Sequence, residues 1–107
     1  MLDLSKVKLL KKEAVVINVA RGEIIEPEAL EWLSNRIYGL GLDVIEGEKE
    51  LLAKKPKGFL EFIQKPTILY TPHMAYYTQE ALMRIQQISL DNMRRFLEGK
   101  SLRFLLT

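Results

Sequence analysis

The fold of this sequence is decided by residues 14–19, which read Ala14-Val15-Val16-Ile17-Asn18-Val19. The run is almost entirely apolar and rich in β-branched residues, a pattern typical of a strand covered by helices on both faces. Strands of this kind belong to parallel sheets, because the crossover helices between parallel strands lie on the faces of the sheet. The pair Arg21-Gly22 ends the strand. The stretch therefore predicts an α/β fold.

Segments on either side of this strand alternate between helix and strand. The sequence predicts a short helix at 4–12, a helix at 28–35 opened by Pro27, a strand at 38–44, an excursion with one or two short helices at 46–65, a strand at 67–71 and a long helix at 78–98. Strands that alternate with helices of this length indicate βαβ crossovers. We therefore expect about three parallel strands and a long C-terminal helix.

Composition excludes several classes of protein. The chain has 107 residues, which suits one domain, with 48% hydrophobic and 28% charged residues, as in ordinary globular proteins. A net charge of +2, on lysines scattered along the chain, gives no basis for binding nucleic acid. The chain has no cysteine for disulfides or thiolate metal sites, and no apolar run approaches the roughly 18 residues of a membrane helix. The expected compartment is the cytoplasm.

Polar residues follow each predicted strand. They are Asn18 and Arg21 after the first, Asp43, Glu46 and Glu48 after the second, and Thr71 and His73 after the third. In open α/β sheets, ligands bind beyond the carboxyl ends of the strands. Parallel strands would therefore gather a guanidinium, carboxylates and the chain's single imidazole on one rim.

This grouping suits the reduction of a 2-keto acid. Such a reaction needs a planar cation to hold the carboxylate, a proton donor that titrates near neutral pH, and a hydride from a cofactor. Taken singly, each residue has a simpler interpretation. Arg21 could be a solvated turn residue, His73 a loop residue, Glu48 part of a solvated charge run and Asp43 a cap. Their joint placement is what favours a function.

Three motifs resemble segments of the D-isomer-specific 2-hydroxyacid dehydrogenases. Residues 17–22 resemble the family's N-x-A-R-G segment, residues 42–48 its L-D-V-x-E-x-E segment, and residues 71–78 its T-P-H-x-A-y-y-T segment. The similarity extends over nearly the whole chain, and the last segment is most similar to the D-lactate dehydrogenase branch. The resemblance implies an oxidoreductase that uses NAD.

The resemblance also implies roles for individual residues. Arg21 would bind and polarise the 2-keto acid, His73 would be the acid/base beside the cofactor, and Glu48 would be its carboxylate partner. Contacts to the nicotinamide end of NAD would come from Asp43 and from the backbone around Asn18, Val19 and Ala20. Tyr76 would border the substrate pocket, and no residue is assigned to a metal.

The family's glycine-rich phosphate loop has no counterpart in this chain: none of the six glycines forms G-x-G-x-x-G after a strand. Residues 1–107 would then be the C-terminal half of a Rossmann-type doubly wound sheet, with helix 78–98 packing toward the substrate domain. We expect an exposed edge at strand 14–19 that favours self-association, a complementary N-terminal half as a partner, and little activity from the chain alone. The alternatives are an inactive remnant and a protein-binding module. Which 2-hydroxy acid is used, and NAD against NADP, stay open.

Overall fold

The computed structural model describes residues 1–104. The chain forms two compact units, Met1–Ala75 and the segment from Tyr76 onward. The elements are α1 (Leu4–Val7), β1 (Val15–Asn18), a 3-10 turn (Gly22–Ile24), α2 (Pro27–Arg36), β2 (Gly39–Leu42), α3 (Glu48–Lys54), α4 (Lys57–Ile63), β3 (Ile68–Tyr70) and α5 (Gln79–Leu97). The predicted α/β class, with three parallel strands and a long final helix, is confirmed.

The sheet has the strand order β1-β2-β3, and both neighbouring pairs are parallel. Val15 pairs with Gly39 at one end, and Leu42 pairs with Tyr70 at the other. Each strand is shorter at both ends than the sequence predicts. The order leaves β1 at an edge of the sheet, as expected.

The hydrophobic core lies on one face of the sheet. Leu40, Leu42 and Ile68 pack there with Leu33 of α2 and Phe59 of α4 in one cluster of buried side chains. Both crossovers, β1-α2-β2 and β2-α3-α4-β3, step in the same direction across the sheet. Crossovers of one hand then place their helices on the same face.

The prediction that residues 14–19 form a strand covered on both faces is therefore wrong. Val15 and Ile17 of β1 are 56% and 69% exposed, and Leu69 of β3 is 71% exposed. These residues alternate with the buried ones, as the two-residue period of a strand requires. One face of the sheet is thus apolar and open to solvent, and we call Val15, Ile17 and Leu69 the open face.

The ends of α1 and α2 are set by capping residues and short-range hydrogen bonds. Asp3 caps α1 by accepting the amide of Lys6 at 3.0 Å, and Pro27 occupies the first turn of α2. The predicted helix at 4–12 is too long, because α1 ends at Val7. Beyond it, the amides of Leu9 and Leu10 bond to carbonyls three residues back, at 3.1 and 3.0 Å, which tightens the last turn and ends the helix.

The second unit begins at Tyr76 and contains α5. Thr78 caps the helix by accepting the amide of Ala81 at 3.1 Å, and Gly99 follows its end with a φ of 64°. Ile85, Met93 and Phe96 of α5 are exposed. Among the described residues, no helix has the length and apolar character needed to cross a membrane.

Candidate active site

The carboxyl ends of the three strands are tied together by backbone hydrogen bonds. The amide of Asp43 donates to the carbonyl of Asn18 at 3.0 Å, and the amide of Thr71 donates to Leu42 at 2.9 Å. The amide of His73 donates to the carbonyl of Asp43 at 2.8 Å. The segments after β1, β2 and β3 therefore meet on one rim, where the sequence analysis placed them.

Asp43 organises the loop that carries His73. Asp43 is 4% exposed, and its carboxylate accepts the Thr71 hydroxyl at 2.5 Å and the amides of Met74 and Ala75 at 2.9 and 3.0 Å. Burial acts to raise the pKa of Asp43, but the hydrogen bonds from Thr71, Ala75 and Met74 outweigh it and hold this pKa below its ordinary value. Asp43 is therefore a charged anchor for residues 71–75.

His73 takes a left-handed backbone conformation, with a φ of 53°, which few residues other than glycine adopt. Two bonds support the conformation, because its amide donates both to Asp43 and to the carbonyl of Thr71 at 2.9 Å. The imidazole Nδ1 lies 2.6 Å from Oε1 of Glu48. The left-handed turn thus directs the ring toward a carboxylate 25 residues away in the sequence.

Glu48 is the first residue of α3 and follows Gly47, whose φ of 71° turns the chain into the helix. A carboxylate in the first turn of a helix is favoured by the free amides there. Its side chain is 18% exposed, whereas that of His73 is 47% exposed. Oε1 faces the imidazole, and Oε2 is buried without a hydrogen-bond partner within residues 1–104.

Arg21 lies on a turn that is shaped by Asn18 and Gly22. The Asn18 side chain donates to the carbonyl of Arg21 at 2.8 Å and accepts the amide of Ala20 at 3.1 Å. Gly22 lies against the backbone of Ile45 and Glu46, so closely that a Cβ would be 2.3 Å from the Glu46 nitrogen. The Arg21 turn is therefore held against the turn that leads to Glu48.

Arg21, Glu48 and His73 line one cleft of about 360 Å³, together with Gly22, Glu23, Val44, Ile45, Gly47, Lys49 and Glu50. The volume is sufficient for a small organic acid. A guanidinium can bind a carboxylate through two donors, and an imidazole held by a carboxylate can move a proton. The structure thus brings together the three residues to which the resemblance assigns catalysis.

The residues assigned to NAD occupy two different environments. Val19 is 62% exposed and Ala20 is exposed, although the Ala20 amide donates to Asn18 and the Ala20 carbonyl accepts from Arg21. Asn18 and Asp43 are buried, and their side chains already hold the turn after β1 and the His73 loop. Tyr76 lies in the second unit, where its ring packs edge-on against Tyr77 at 6.1 Å. Its place beside the substrate stays a prediction.

Sequence reasoning missed two contributions to the site. It took Gly22 only as the end of a strand, although its missing side chain permits the contact with Ile45 and Glu46. It also gave Asp43 no role in holding the His73 loop. A glycine directly after a candidate ligand-binding arginine was the available signal for the first, and none in the sequence pointed to the second.

Comparison with protein families gives a match over residues 1–75 to the model described as "D-isomer specific 2-hydroxyacid dehydrogenase, NAD binding domain". Among curated proteins, the D-lactate dehydrogenase of Lactobacillus delbrueckii subsp. bulgaricus is 30% identical over 94% of this chain and 33% of its own length. The D-lactate dehydrogenase of Streptococcus agalactiae serotype V is 36% identical over 83% of this chain and 30% of its own length. The chain thus spans about a third of the length of these relatives.

Solved structures that are similar to this chain also include D-lactate dehydrogenases. The D-lactate dehydrogenase with NAD+ from Lactobacillus jensenii superposes with a TM-score of 0.84 at 26% identity, over 98% of this chain and 34% of that one. The D-lactate dehydrogenase from Aquifex aeolicus, complexed with NAD and lactic acid, gives a TM-score of 0.74 at 32% identity, over 91% of this chain and 32% of that one. With a family match over the whole first unit and a parallel sheet of the same kind, the chain belongs to the D-isomer-specific 2-hydroxyacid dehydrogenase family, in whose NAD-binding domain its residues 1–75 lie.

Proposed function

We propose that this chain forms the C-terminal part of an NAD-dependent D-2-hydroxyacid dehydrogenase of the D-lactate dehydrogenase kind. The reaction would be hydride transfer between the nicotinamide cofactor and a 2-keto or 2-hydroxy acid. The observation that carries the proposal is the cleft in which Arg21 accompanies the paired His73 and Glu48. In this assignment residues 1–107 are part of the NAD-binding domain, and helix α5 packs toward the substrate domain.

Arg21 is the substrate-binding cation. Its guanidinium offers two parallel donors that match the carboxylate of a 2-keto acid, and a remaining donor polarises the neighbouring carbonyl. Asn18 and Gly22 fix the turn on which Arg21 lies. Because the turn is fixed, less ordering is needed when the acid binds.

His73 moves the proton. Since Nδ1 faces Glu48, the ring presents Nε2 as the atom available to a substrate. In the reducing direction, Nε2 donates a proton to the carbonyl oxygen, and in the oxidising direction it accepts the hydroxyl proton. Glu48 stabilises the imidazolium and fixes the orientation of the ring.

NAD supplies the hydride when it is bound, and the groups that residues 1–104 offer serve its nicotinamide end. The exposed backbone at Val19 provides a donor and an acceptor at the rim, whereas the Ala20 amide already donates to Asn18 Oδ1. Within residues 1–104, Oδ2 of Asp43 accepts one amide, that of Ala75, shared with Oδ1 at 3.0 Å, and so has capacity for a further donor such as a carboxamide. Phosphate binding would come from a complementary N-terminal half that carries the glycine-rich loop.

The open face and the β1 edge support a second part of the proposal, namely that the chain associates with itself or with that complementary half. An apolar face beside an unpaired strand edge favours pairing with another chain. The same exposure also favours the alternative that the chain is a protein-binding module without catalysis. A cytoplasmic location stays a prediction.

Co-expression tests these assignments. The chain is combined with the N-terminal part of a D-lactate dehydrogenase that contains the glycine-rich loop, and NADH oxidation is followed with pyruvate and with longer 2-keto acids. We expect turnover from the mixture and none from either part alone. His73→Gln should abolish turnover while NADH binding by the mixture stays nearly intact. Turnover that survives this substitution would show that the acid/base assignment is wrong, and a stably folded mixture without turnover would favour the binding module.

A further inference from the structure

A second cavity of about 480 Å³ lies outside the candidate active site, between α2, α4 and the turn that follows β2. We call it the helix cavity. None of the residues assigned above to catalysis, substrate or cofactor lines it. Its volume falls within the range of roughly 300–1,000 Å³ that is usual for small-molecule sites. The helix cavity is therefore large enough for a ligand of its own.

The wall of the helix cavity is largely apolar. Ile25 and Ile45 are 4% and 9% exposed, and Leu30, Leu51 and Phe62 are half-buried around them. Apolar surface that is removed from water on binding stabilises a complex. The wall is therefore suited to the apolar body of a ligand.

The one lysine of the helix cavity is already engaged. Nζ of Lys65 donates to Oγ of Ser34 at 3.0 Å and to Oδ1 of Asn35 at 2.8 Å, and it lies 5.9 Å from the ring centroid of Phe62. Ser34 is 6% exposed, so this end of the cavity is a fixed polar contact between α2 and the end of α4.

Negative charge is in excess around the helix cavity. Glu31 of α2, Glu46 of the turn and Glu61 of α4 line it, against the single cation of Lys65. Glu61 lies 3.6 Å from Nζ of Lys57, whereas Glu31 and Glu46 form no ion pair among residues 1–104. A ligand cation would offset this charge, and a ligand anion would meet repulsion.

Ile45 separates the helix cavity from the cleft of the candidate active site, because it lines both. Its carbonyl accepts the amide of Glu48 at 3.1 Å. On the Arg21 turn, a Cβ on Gly22 would lie 2.4 Å from the carbonyl carbon of Ile45. A ligand in the helix cavity thus touches the residue against which both turns of the cleft are packed.

We propose that the helix cavity is a binding site for a small organic cation with an apolar body, and that its occupancy is transmitted through Ile45 to the His73–Glu48 pair. The apolar body would lie on Leu30 and Phe62, with the cationic group toward the glutamates. The site does not rest on the proposed function, because binding can be measured without turnover.

The test uses phenethylamine and its uncharged counterpart phenethyl alcohol, each titrated into the full chain at constant pH. Amide chemical shifts of the residues that line the helix cavity report binding. We expect saturable shifts and a dissociation constant about three- to tenfold lower for the amine, the range that two ion pairs near the surface contribute. Equal affinity for the two compounds would refute the preference for a cation. Shifts that do not saturate would refute the site.

Two substitutions locate the bound amine. Gly58 lines the helix cavity and a Cβ there meets nothing within 4 Å, so Gly58→Leu fills space at the cavity without a clash and should abolish binding. Glu31→Gln should weaken binding of the amine by about two- to fivefold. Glu28→Gln makes the same change of charge on α2 outside the cavity and should leave the affinity unchanged. Binding that survives Gly58→Leu would place the amine elsewhere and overturn the proposal.

The link to the cleft has a separate measurement. His73 is the only histidine of the chain, so its imidazole nitrogen signals are free of overlap. We expect these signals to shift during the titration with the same dissociation constant as the amides of the helix cavity. If they stay unchanged while the amine binds, transmission through Ile45 is refuted and the binding site stands.

Discussion

Gly22 and Glu46 touch through their backbones, so closely that a Cβ on Gly22 would lie 2.3 Å from the Glu46 nitrogen. The atoms in the way belong to the main chain, which cannot move aside as a flexible side chain can. Two turns that are separated by 24 residues in the sequence, one with Arg21 and one leading to Glu48, are thereby packed into one wall of the cleft.

Gly22→Ala should therefore separate these turns. We expect the free energy of unfolding to fall by about 1–3 kcal/mol, the usual cost of forcing extra atoms into a packed site. Urea unfolding measures this change. Gly58→Ala in α4 is the matched control, because a Cβ there meets nothing within 4 Å. It should change the free energy of unfolding by no more than about 0.5 kcal/mol, since Gly58 lies in the first turn of α4 and touches nothing there. Equal effects of the two substitutions would contradict the close contact.

Asp43→Asn should weaken the anchor of the His73 loop and change the dependence of stability on pH. The carboxylate has a pKa below its ordinary value, so its stabilisation is present above the unfolded value of about 3.9 and lost as pH falls through the lower folded value. We expect the free energy of unfolding of the variant to be lower by about 2 kcal/mol at neutral pH. It should also fall less steeply toward low pH than that of the parent chain. Urea unfolding at a series of pH values checks both.

The control for Asp43 is Glu61→Gln. Glu61 is an exposed carboxylate on α4 whose oxygen lies 3.6 Å from Lys57 Nζ. Exposed pairs contribute little, so the change should stay within about 0.5 kcal/mol. If the free energy of unfolding falls equally steeply toward low pH in Asp43→Asn and in the parent chain, the acid sensitivity belongs to other groups.

Arg21→Lys tests whether the guanidinium binds substrate through two donors. In the co-expressed enzyme we expect kcat/KM to fall by about ten- to a hundredfold, because an ammonium cannot reproduce a paired, charge-assisted contact. Arg36→Lys, at the end of α2 and outside the cleft, should leave kcat/KM unchanged. Equal kinetics for both variants would exclude a two-donor contact at Arg21.

Ile17→Thr should reduce self-association without loss of stability. Ile17 is 69% exposed on the open face, and threonine keeps the β-branched shape that suits a strand. Sedimentation velocity over a range of concentrations should show less concentration-dependent growth than in the parent. Leu9→Thr, at a residue that is 84% exposed outside the sheet, is the matched control and should behave like the parent. If the two variants associate alike, the open face is not the contact surface.

The sequence allowed the fold to be predicted where a local pattern is sufficient. A β-branched run located β1, Pro27 located the start of α2, and the alternation of elements predicted a parallel sheet. Coverage of the sheet was predicted wrongly at Val15 and Ile17, because a continuous apolar run does not tell which faces receive helices. That depends on the direction in which successive crossovers step.

The residues of the candidate site also divide into those that a sequence pattern predicts and those that it does not. Arg21, Glu48 and His73 could be found because each follows a strand and parallel strands bring their carboxyl ends together. The anchoring role of Asp43 could not, since it depends on a hydrogen bond to Thr71 across 28 residues and on amides that any residue would supply.

The backbone bonds from Asp43 to Asn18, from Thr71 to Leu42 and from His73 to Asp43 continue the connection between strands past the ends of the sheet. The loops that line the cleft therefore move as one rigid part of the sheet and not independently of one another. When a ligand displaces the turn at Arg21, the displacement reaches His73 through two backbone hydrogen bonds, from Asp43 to Asn18 and from His73 to Asp43. The spacing between Arg21 and His73 is therefore set by the strand separation, and surface substitutions elsewhere in the chain have little means of altering it.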